Sequence, residues 1–371
     1  MVGSGQRCRR YRPYGNCSEL GWGIFGQESG DAAVSPPLVD VSDLRVALRA
    51  AGDYREVVRG IDFQIRRGEI VGLVGESGSG KSVTARTLMR LLPSDAKVSG
   101  SVEFDGRDVL RLSRRDLTAF RRRHAGMIFQ DPRASMDPLY TVRSLLVEGI
   151  SRGVDMSRRD AHAAAMSALA DTGISDPDRV MAARPGELSG GLLQRVAIAS
   201  VLARQPDLLI ADEPTTALDV TIQAEVAALI KDLCLERNIA VLFITHDLAL
   251  ASALCQRTIV LYAGRVMECQ PTASLFSQPL HPYTVGLIQA RPAIGRRHHR
   301  LEAIPGRPPD PSAMPEGCAF HPRCSLAQDD CRTTVPELAV VGAPDRRSAC
   351  LHVEELARGG PNAVRVEVTD G

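Results

Sequence analysis

No apolar run in this chain approaches the ~20 residues needed to cross a bilayer, so if it acts at a membrane, other chains are expected to supply the spanning part. The chain also has no charge of one sign to spare. Its 45 Lys+Arg against 44 Asp+Glu leave +1, which gives no global reason to expect a nucleic-acid partner. Arg7, Arg9, Arg10 and Arg12 crowd the start without an apolar stretch behind them, so no secretory signal is expected and the chain is expected in the cytoplasm. Residues 1–36 lack any apolar period. They are rich in Gly, Arg and Ser, hold Cys8, Cys17 and the single tryptophan Trp22, and read as a disordered extension. Structural disulfides are not expected among nine cysteines in a cytosolic chain, and no C-x2-C pair occurs among them.

What is present is a core-forming chain of 371 residues, 44% hydrophobic, enough for two domains or one domain with appendages. Its organising stretch is Gly75-Glu76-Ser77-Gly78-Ser79-Gly80-Lys81-Ser82, which fits the phosphate-loop pattern G-x-x-x-x-G-K-[ST] at every fixed position. Residues 69–74 before it read as a short buried strand. Residues 83–92 after it carry apolar side chains three and four apart, as a helix does. The glycines let the backbone curl until its N–H groups point at phosphate oxygens, and the helix start adds partial positive charge. In that setting Lys81 reaches the β- and γ-phosphates, and the Ser82 hydroxyl ligates Mg²⁺.

Other stretches fall into place around this loop. Residues 38–46 alternate apolar and polar like a half-buried strand, and residues 57–65 continue the sheet. Tyr54 between them is a candidate for stacking on an adenine ring. Residues 102–106 form a strand and turn, and 114–123 a basic helix. The apolar residues 127–129 end in Gln130, a polar group placed to sense Mg²⁺ and the γ-phosphate. Residues 142–187 read as a helical insert, with His162 as an ordinary helix residue. Ser189, followed by Gly190 and Gly191, caps a further helix and makes a second anion-binding helix start. The apolar strand 208–211 ends in two acids: Asp212 for the Mg²⁺ shell and Glu213 to polarise an attacking water. Asp219 opens the helix 220–236. Residues 240–245 form the next core strand, with His246 at its end to bond the γ-phosphate. Residues 259–268 read as a hairpin, and the compact core is expected to end near 275.

In order, residues 75–82 (Walker A), Gln130 (Q-loop), Leu188-Ser189-Gly190-Gly191 (signature), 208–212 with Glu213 (Walker B), Ala217-Leu218-Asp219 (D-loop) and His246 (switch) resemble the motifs of ATP-binding-cassette ATPases. The resemblance implies an α/β fold: a P-loop NTPase core with a RecA-like sheet, an antiparallel β-subdomain and an α-helical subdomain. It narrows at residues 129–138, which resemble the Q-loop of oligopeptide and dipeptide permease ATPases. His281-Pro282-Tyr283-Thr284, Ile304-Pro305-Gly306 and the segment 317–324 resemble the C-terminal extension of the same proteins. Leu192 departs from the Gln or Met that many cassettes carry.

The implied organisation is an extension over 1–36, a cassette over 37–275, a peptide-permease extension over 276–353 and a flexible tail over 354–371. The implied activity is ATP hydrolysis energising an import system. Catalysis would fall to Glu213, His246 and Gln130, nucleotide binding to residues 75–82, Asp212, Ser189, Gly190, Gly191, Asp219 and Tyr54, and Mg²⁺ to Ser82, Gln130 and Asp212. Implied partners are a second ATPase subunit, identical or different, two integral membrane permeases and an extracytoplasmic binding protein. The place of work would be the cytoplasmic face of the membrane. Peptide uptake leads; nickel or glutathione uptake, or a cassette outside transport, stand as alternatives.

Cys318, Cys324, Cys331 and Cys350 fall in a Pro/Arg-rich segment that needs something to pin it. Their gaps, C-x5-C-x6-C-x18-C, leave zinc, an iron–sulfur cluster and free thiols open, with His321 and His352 as alternative ligands. The family resemblance favours a four-iron four-sulfur cluster.

Overall fold

A computed structural model of the chain describes residues 36–50, 52–216, 219–290 and 304–359. The expected N-terminal extension with Cys8, Cys17 and Trp22, the residues Ala217 and Leu218, and the tail from 360 lie outside the described residues.

The strands are β1 (Val39–Ala50), β2 (Asp53–Ile65), β3 (Ile70–Val74), β4 (Lys97–Phe104), β5 (Arg107–Asp108), β6 (Ala125–Ile128), β7 (Leu208–Asp212), β8 (Ala240–Thr245), β9 (Arg257–Tyr262), β10 (Arg265–Pro271), β11 (Ala339–Val341) and β12 (Ala343–Ser348). They form two sheets, one antiparallel in the order β2-β1-β4-β5, the other in the order β11-β12-β10-β9-β3-β8-β7-β6. Strands β6, β7, β8, β3 and β9 run parallel. Such strands are covered on both faces, so they are apolar throughout. Side chains alternate faces accordingly. Val71 and Leu73 of β3 join a core shared with β1 and β2, while Ile70 and Val74 join a core under the helices Gly190–Leu202 and Val220–Glu236. The helices Val142–Val154, Arg158–Asp171 and Pro177–Ala182 close a third apolar cluster around Leu146, Ile150, Ala165 and Leu169. His162 is half-buried on the second of these.

Two expectations need correction. The helix after the phosphate loop spans Lys81–Leu88 and does not reach residue 92. Arg90 turns left-handed at φ 49°, and Pro93 follows, neither of which continues a helix. The compact core also does not end near 275. Glu268 and Cys269 of β10 pair with Ser348 and Arg347 of β12, so the C-terminal segment adds two strands to the main sheet. Tyr283, Cys318, Phe320 and Cys331 are buried in the same cluster as Val74 and Phe243.

Candidate active site

The parallel order places the C-terminal ends of β3, β7 and β8 side by side, and each end carries one part of the site. At the end of β3, Gly75 is forced by close approach: a Cβ there would lie 2.1 Å from the Leu261 carbonyl oxygen. Gly80, at φ 105°, starts the helix Lys81–Leu88. Lys81 is buried, and its Nζ donates to the carbonyls of Gly75 at 2.8 Å and Glu76 at 3.0 Å. Burial pulls the Lys81 pKa down against the pull of Glu213, Asp212 and Glu76. The lysine thus folds back over its own loop, with three acids near enough to favour its charge. Ser79 Oγ is buried with no hydrogen-bond partner among the described residues, an orphan that an anionic oxygen would satisfy.

At the end of β7, Asp212 is 2% exposed, and its Oδ1 accepts from Ser82 Oγ at 2.8 Å. Burial raises the Asp212 pKa, opposed chiefly by that serine bond. These two hard oxygen donors, 130 residues apart in sequence, suit Mg²⁺. Gln130, the third expected Mg²⁺ ligand, makes its hydrogen bond elsewhere, to Glu213.

Glu213 is held on all sides. Its backbone sits at φ 47°, a conformation that costs a glutamate about 1–3 kcal/mol and re-aims its side chain. Its N–H donates to Ile244 O at 3.0 Å. Oε2 accepts from Gln130 Nε2 at 3.2 Å and from Thr216 Oγ1 at 2.9 Å. His246 Nδ1 lies 3.3 Å from Oε1. The three candidate catalytic residues therefore meet in one network, at the head of the strands that flank the loop. Thr216 is a member that sequence reasoning misses; only its closeness to Glu213 in sequence hints at it.

The remaining candidates stand apart. Ser189 caps the helix Gly190–Leu202, its Oγ accepting from Leu192 N at 3.4 Å, and Ser189 and Gly190 are exposed. Asp219 caps the helix Val220–Glu236 through Ile222 N at 3.1 Å. Among the described residues no hydrogen bond or ion pair joins Ser189, Gly190, Gly191 or Asp219 to residues 75–82. Tyr54, at the head of β2, is 42% exposed, and Lys97 Nζ sits 3.8 Å over its ring.

The four C-terminal cysteines, by contrast, come together. Cys318, Cys324, Cys331 and Cys350 line one small cavity with Phe320 and His321, and no disulfide joins them among the described residues. Burial pushes the Cys324 thiol up to about 12 and the Cys350 thiol up to about 11. The alternative ligands are engaged: His321 Nδ1 lies 2.9 Å from the Cys318 carbonyl, and His352 Nε2 lies 2.9 Å from Asp330 Oδ1. Asp330, Cys331 and His352 form the one triad of metal-type donors within 4.8 Å of one another among the described residues.

Residues 58–216 match the ABC transporter family, and residues 267–331 match the oligopeptide/dipeptide transporter C-terminal region. The chain is 42% identical over 320 residues to the oligopeptide transport ATP-binding protein OppD of Salmonella typhimurium, covering 86% of this chain and 95% of that one. It is 41% identical over 324 residues to the probable D,D-dipeptide transport ATP-binding protein DdpD of Escherichia coli, covering 87% and 98%. Among solved structures, it resembles the ATP-binding cassette MJ0796, a dimer bound to ADP and phosphate, with a TM-score of 0.55 and 28% identity over 63% of this chain and 98% of that one. The phosphate loop, the acids of β7 and the fused C-terminal strands thus have a common home: this chain belongs to the ATP-binding subunits of the ABC transporter family that carry the oligopeptide/dipeptide transporter C-terminal region.

Proposed function

We propose that this chain is the ATP-hydrolysing subunit that energises uptake of di- or oligopeptides through an ABC import system. The observation that carries the reading is the Glu213 carboxylate, fixed by Gln130, Thr216 and His246 beside a loop whose lysine is buried and ready for phosphate. In this mechanism the backbone N–H groups of residues 75–82, with Lys81, hold the β- and γ-phosphates. Ser82 and Asp212 would hold Mg²⁺, which would supply charge neutralisation at the phosphates. Glu213 takes a proton from the attacking water, and Gln130 and His246 keep its carboxylate in place. Ser189, Gly190 and Gly191 serve the nucleotide of a second cassette subunit, which accords with their standing apart from this chain's own loop. Tyr54 stacks on adenine through the ring face that Lys97 does not cover.

No helix among the described residues is long and apolar enough to cross a membrane. On this reading the chain works on the cytoplasmic face beneath two permease subunits, with a binding protein delivering cargo from outside. Peptide cargo is favoured over nickel or glutathione because the named relatives are oligopeptide and D,D-dipeptide transport subunits. Affinity purification of the tagged chain from membranes, followed by reconstitution, tests this. Co-purifying permease subunits and peptide-stimulated ATPase activity are expected; a chain recovered without membrane partners would overturn the transport reading.

The thiol cavity supports a second element of the proposal. The four thiols line one cavity, and the resemblance of this segment to the peptide-permease extension favours a four-iron four-sulfur group held by Cys318, Cys324, Cys331 and Cys350 over zinc. Such a group would cross-link the turn at 318–331 to the segment just after β12. Iron and sulfide analysis with the visible spectrum of anaerobically purified protein tests it; a colourless, iron-free chain refutes it.

A further inference from the structure

Every polar handle of Glu76, the second residue of the phosphate loop, is taken. Its N–H donates to Tyr283 Oη at 2.9 Å, and its carbonyl accepts from Lys81 Nζ at 3.0 Å. Its carboxylate is gripped by Arg323, with Nη1 at 2.7 Å from Oε2 and Nη2 at 3.0 Å from Oε1. Two of these three partners, Tyr283 and Arg323, come from the C-terminal extension, the second from 247 residues away.

Arg323 itself is locked. Its side chain is 5% exposed, its Nε donates to Pro305 O at 2.8 Å, and its Nη1 donates to Tyr262 Oη at 3.2 Å. Burial works against its charge, but the Glu76 carboxylate and the Tyr262 hydroxyl more than offset that and hold its pKa above the ordinary value. Around it the rings of Tyr262, Tyr283 and Phe320 pack with centroids 4.6 to 5.4 Å apart. A lysine could not replace this group, because only a planar fork reaches both carboxylate oxygens, a carbonyl and a hydroxyl at once.

A carboxylate beside a phosphate-binding loop is an electrostatic liability. Unpaired, it would repel the polyphosphate across a site partly shielded from water. We propose that Arg323 is a positioning residue for ATP: from the C-terminal extension it neutralises and orients Glu76, so that the loop and Lys81 are pre-set for phosphate. The inference rests on the reading that residues 75–82 hold the phosphates. It gives the extension a role at the nucleotide. Arg323 stands at the end of the turn between Cys318 and Cys324, held by its N–H to Phe320 O at 2.9 Å, so the order of that turn reaches the ATP site through one side chain.

The test is a double-mutant cycle on the full chain, read by titration with a fluorescent ATP analogue and by thermal melting. Arg323→Ala is expected to raise Kd about tenfold in the wild-type background, but less than about twofold in the Glu76→Gln background, because the charge it neutralises is then gone. A purely structural role would weaken binding equally in both backgrounds and lower both melting points alike, and that result would overturn the proposal. Should Arg323→Ala not fold, Arg323→Lys replaces it in the same cycle. It is expected to raise Kd about threefold or more in the wild-type background and to leave Kd unchanged in the Glu76→Gln background; equal effects refute the proposal. Lys81→Ala is the reference. If it loses binding while Arg323→Ala stays within about twofold of wild type, the positioning proposal fails and the site stands; if it binds normally, the site reading itself fails.

Discussion

Glu268 offers a test of how tightly the C-terminal extension is built into the cassette. It lies on β10 and is fully buried. Its Oε1 accepts from Gln270 Nε2 at 2.6 Å and from Leu280 N at 2.9 Å. Its Oε2 lacks a hydrogen bond of good geometry, with the Thr284 hydroxyl nearby. Burial raises its pKa to about 7, against the lowering effect of its hydrogen-bond donors. The folded chain therefore keeps the proton up to about pH 7, whereas the unfolded chain releases it near 4.5. Between those values the folded state binds more protons, so stability falls as pH rises through the window, by roughly 3 kcal/mol in all. Glu268→Gln keeps the acceptor and puts a fixed N–H donor where the carboxylic proton would sit. The variant should melt close to wild type at pH 5. It should exceed wild type by about 4 °C at pH 8, given about 2 cal/mol/K of unfolding entropy per residue. His281, also buried, has its pKa pushed down to about 3 and gives a slope of the opposite sign below pH 6.5. That slope is common to both chains, so the difference between them isolates Glu268. Scanning calorimetry of both proteins from pH 5 to 8.5 measures it, and parallel curves of melting point against pH would refute the reasoning.

Glu213→Gln should leave ATP binding intact and slow hydrolysis by roughly 10²-fold or more, read by phosphate release in the assembled transporter. Lys81→Ala should weaken binding of a fluorescent ATP analogue by at least about tenfold, since it removes the one ammonium at the loop. If, as proposed, its hydroxyl serves another subunit's nucleotide, Ser189→Ala should leave analogue binding by the isolated chain within about twofold of wild type and lower only the ATPase rate of the assembled pair. Thr216→Val removes one of the bonds to Glu213 Oε2 and should reduce the turnover number about 10-fold with little change in KM.

Much of the cassette is legible in the sequence because burial on two faces leaves a strong mark. The runs at 70–74, 208–212 and 240–245 are apolar almost throughout because helices cover one side of the sheet and β1 and β2 the other. The phosphate loop is legible because glycine is demanded wherever backbone meets backbone, as Gly75 meets Leu261. Strand pairing at the C-terminal edge leaves no such mark. β12 reads Ala343-Pro344-Asp345-Arg346-Arg347-Ser348, polar and without alternation, because only Ser348 is buried and pairing with β10 and β11 orders the strand. The Arg323–Glu76 fork is equally silent. The segment 317–324 draws attention to its cysteines and histidine, and an arginine near cysteines signals nothing about a loop 247 residues earlier. The sequence places Gln130 at the right strand end, but only the fold shows its amide on Glu213.

On the proposed reading, the separation of the two helix starts at Gly80 and Ser189 sets how the activity is organised. The first, at Gly80, is backed by Lys81 on the loop carbonyls and by Ser82 on Asp212. The second, at Ser189, has only a 3.4 Å cap bond and faces solvent. A helix start leaves several N–H groups unpaired, and in water these cost little, so an exposed start is stable without a ligand. It contributes to transition-state stabilisation only where water is excluded and the developing charge is close. One folded chain covers the loop only in part, since Ser77 and Gly78 at its tip are exposed. On the proposed reading, nucleotide binding is therefore a property of the single subunit, set by residues 75–82 and their support from Arg323, whereas turnover belongs to a pair in which the second helix start of one subunit closes over the phosphate loop of the other.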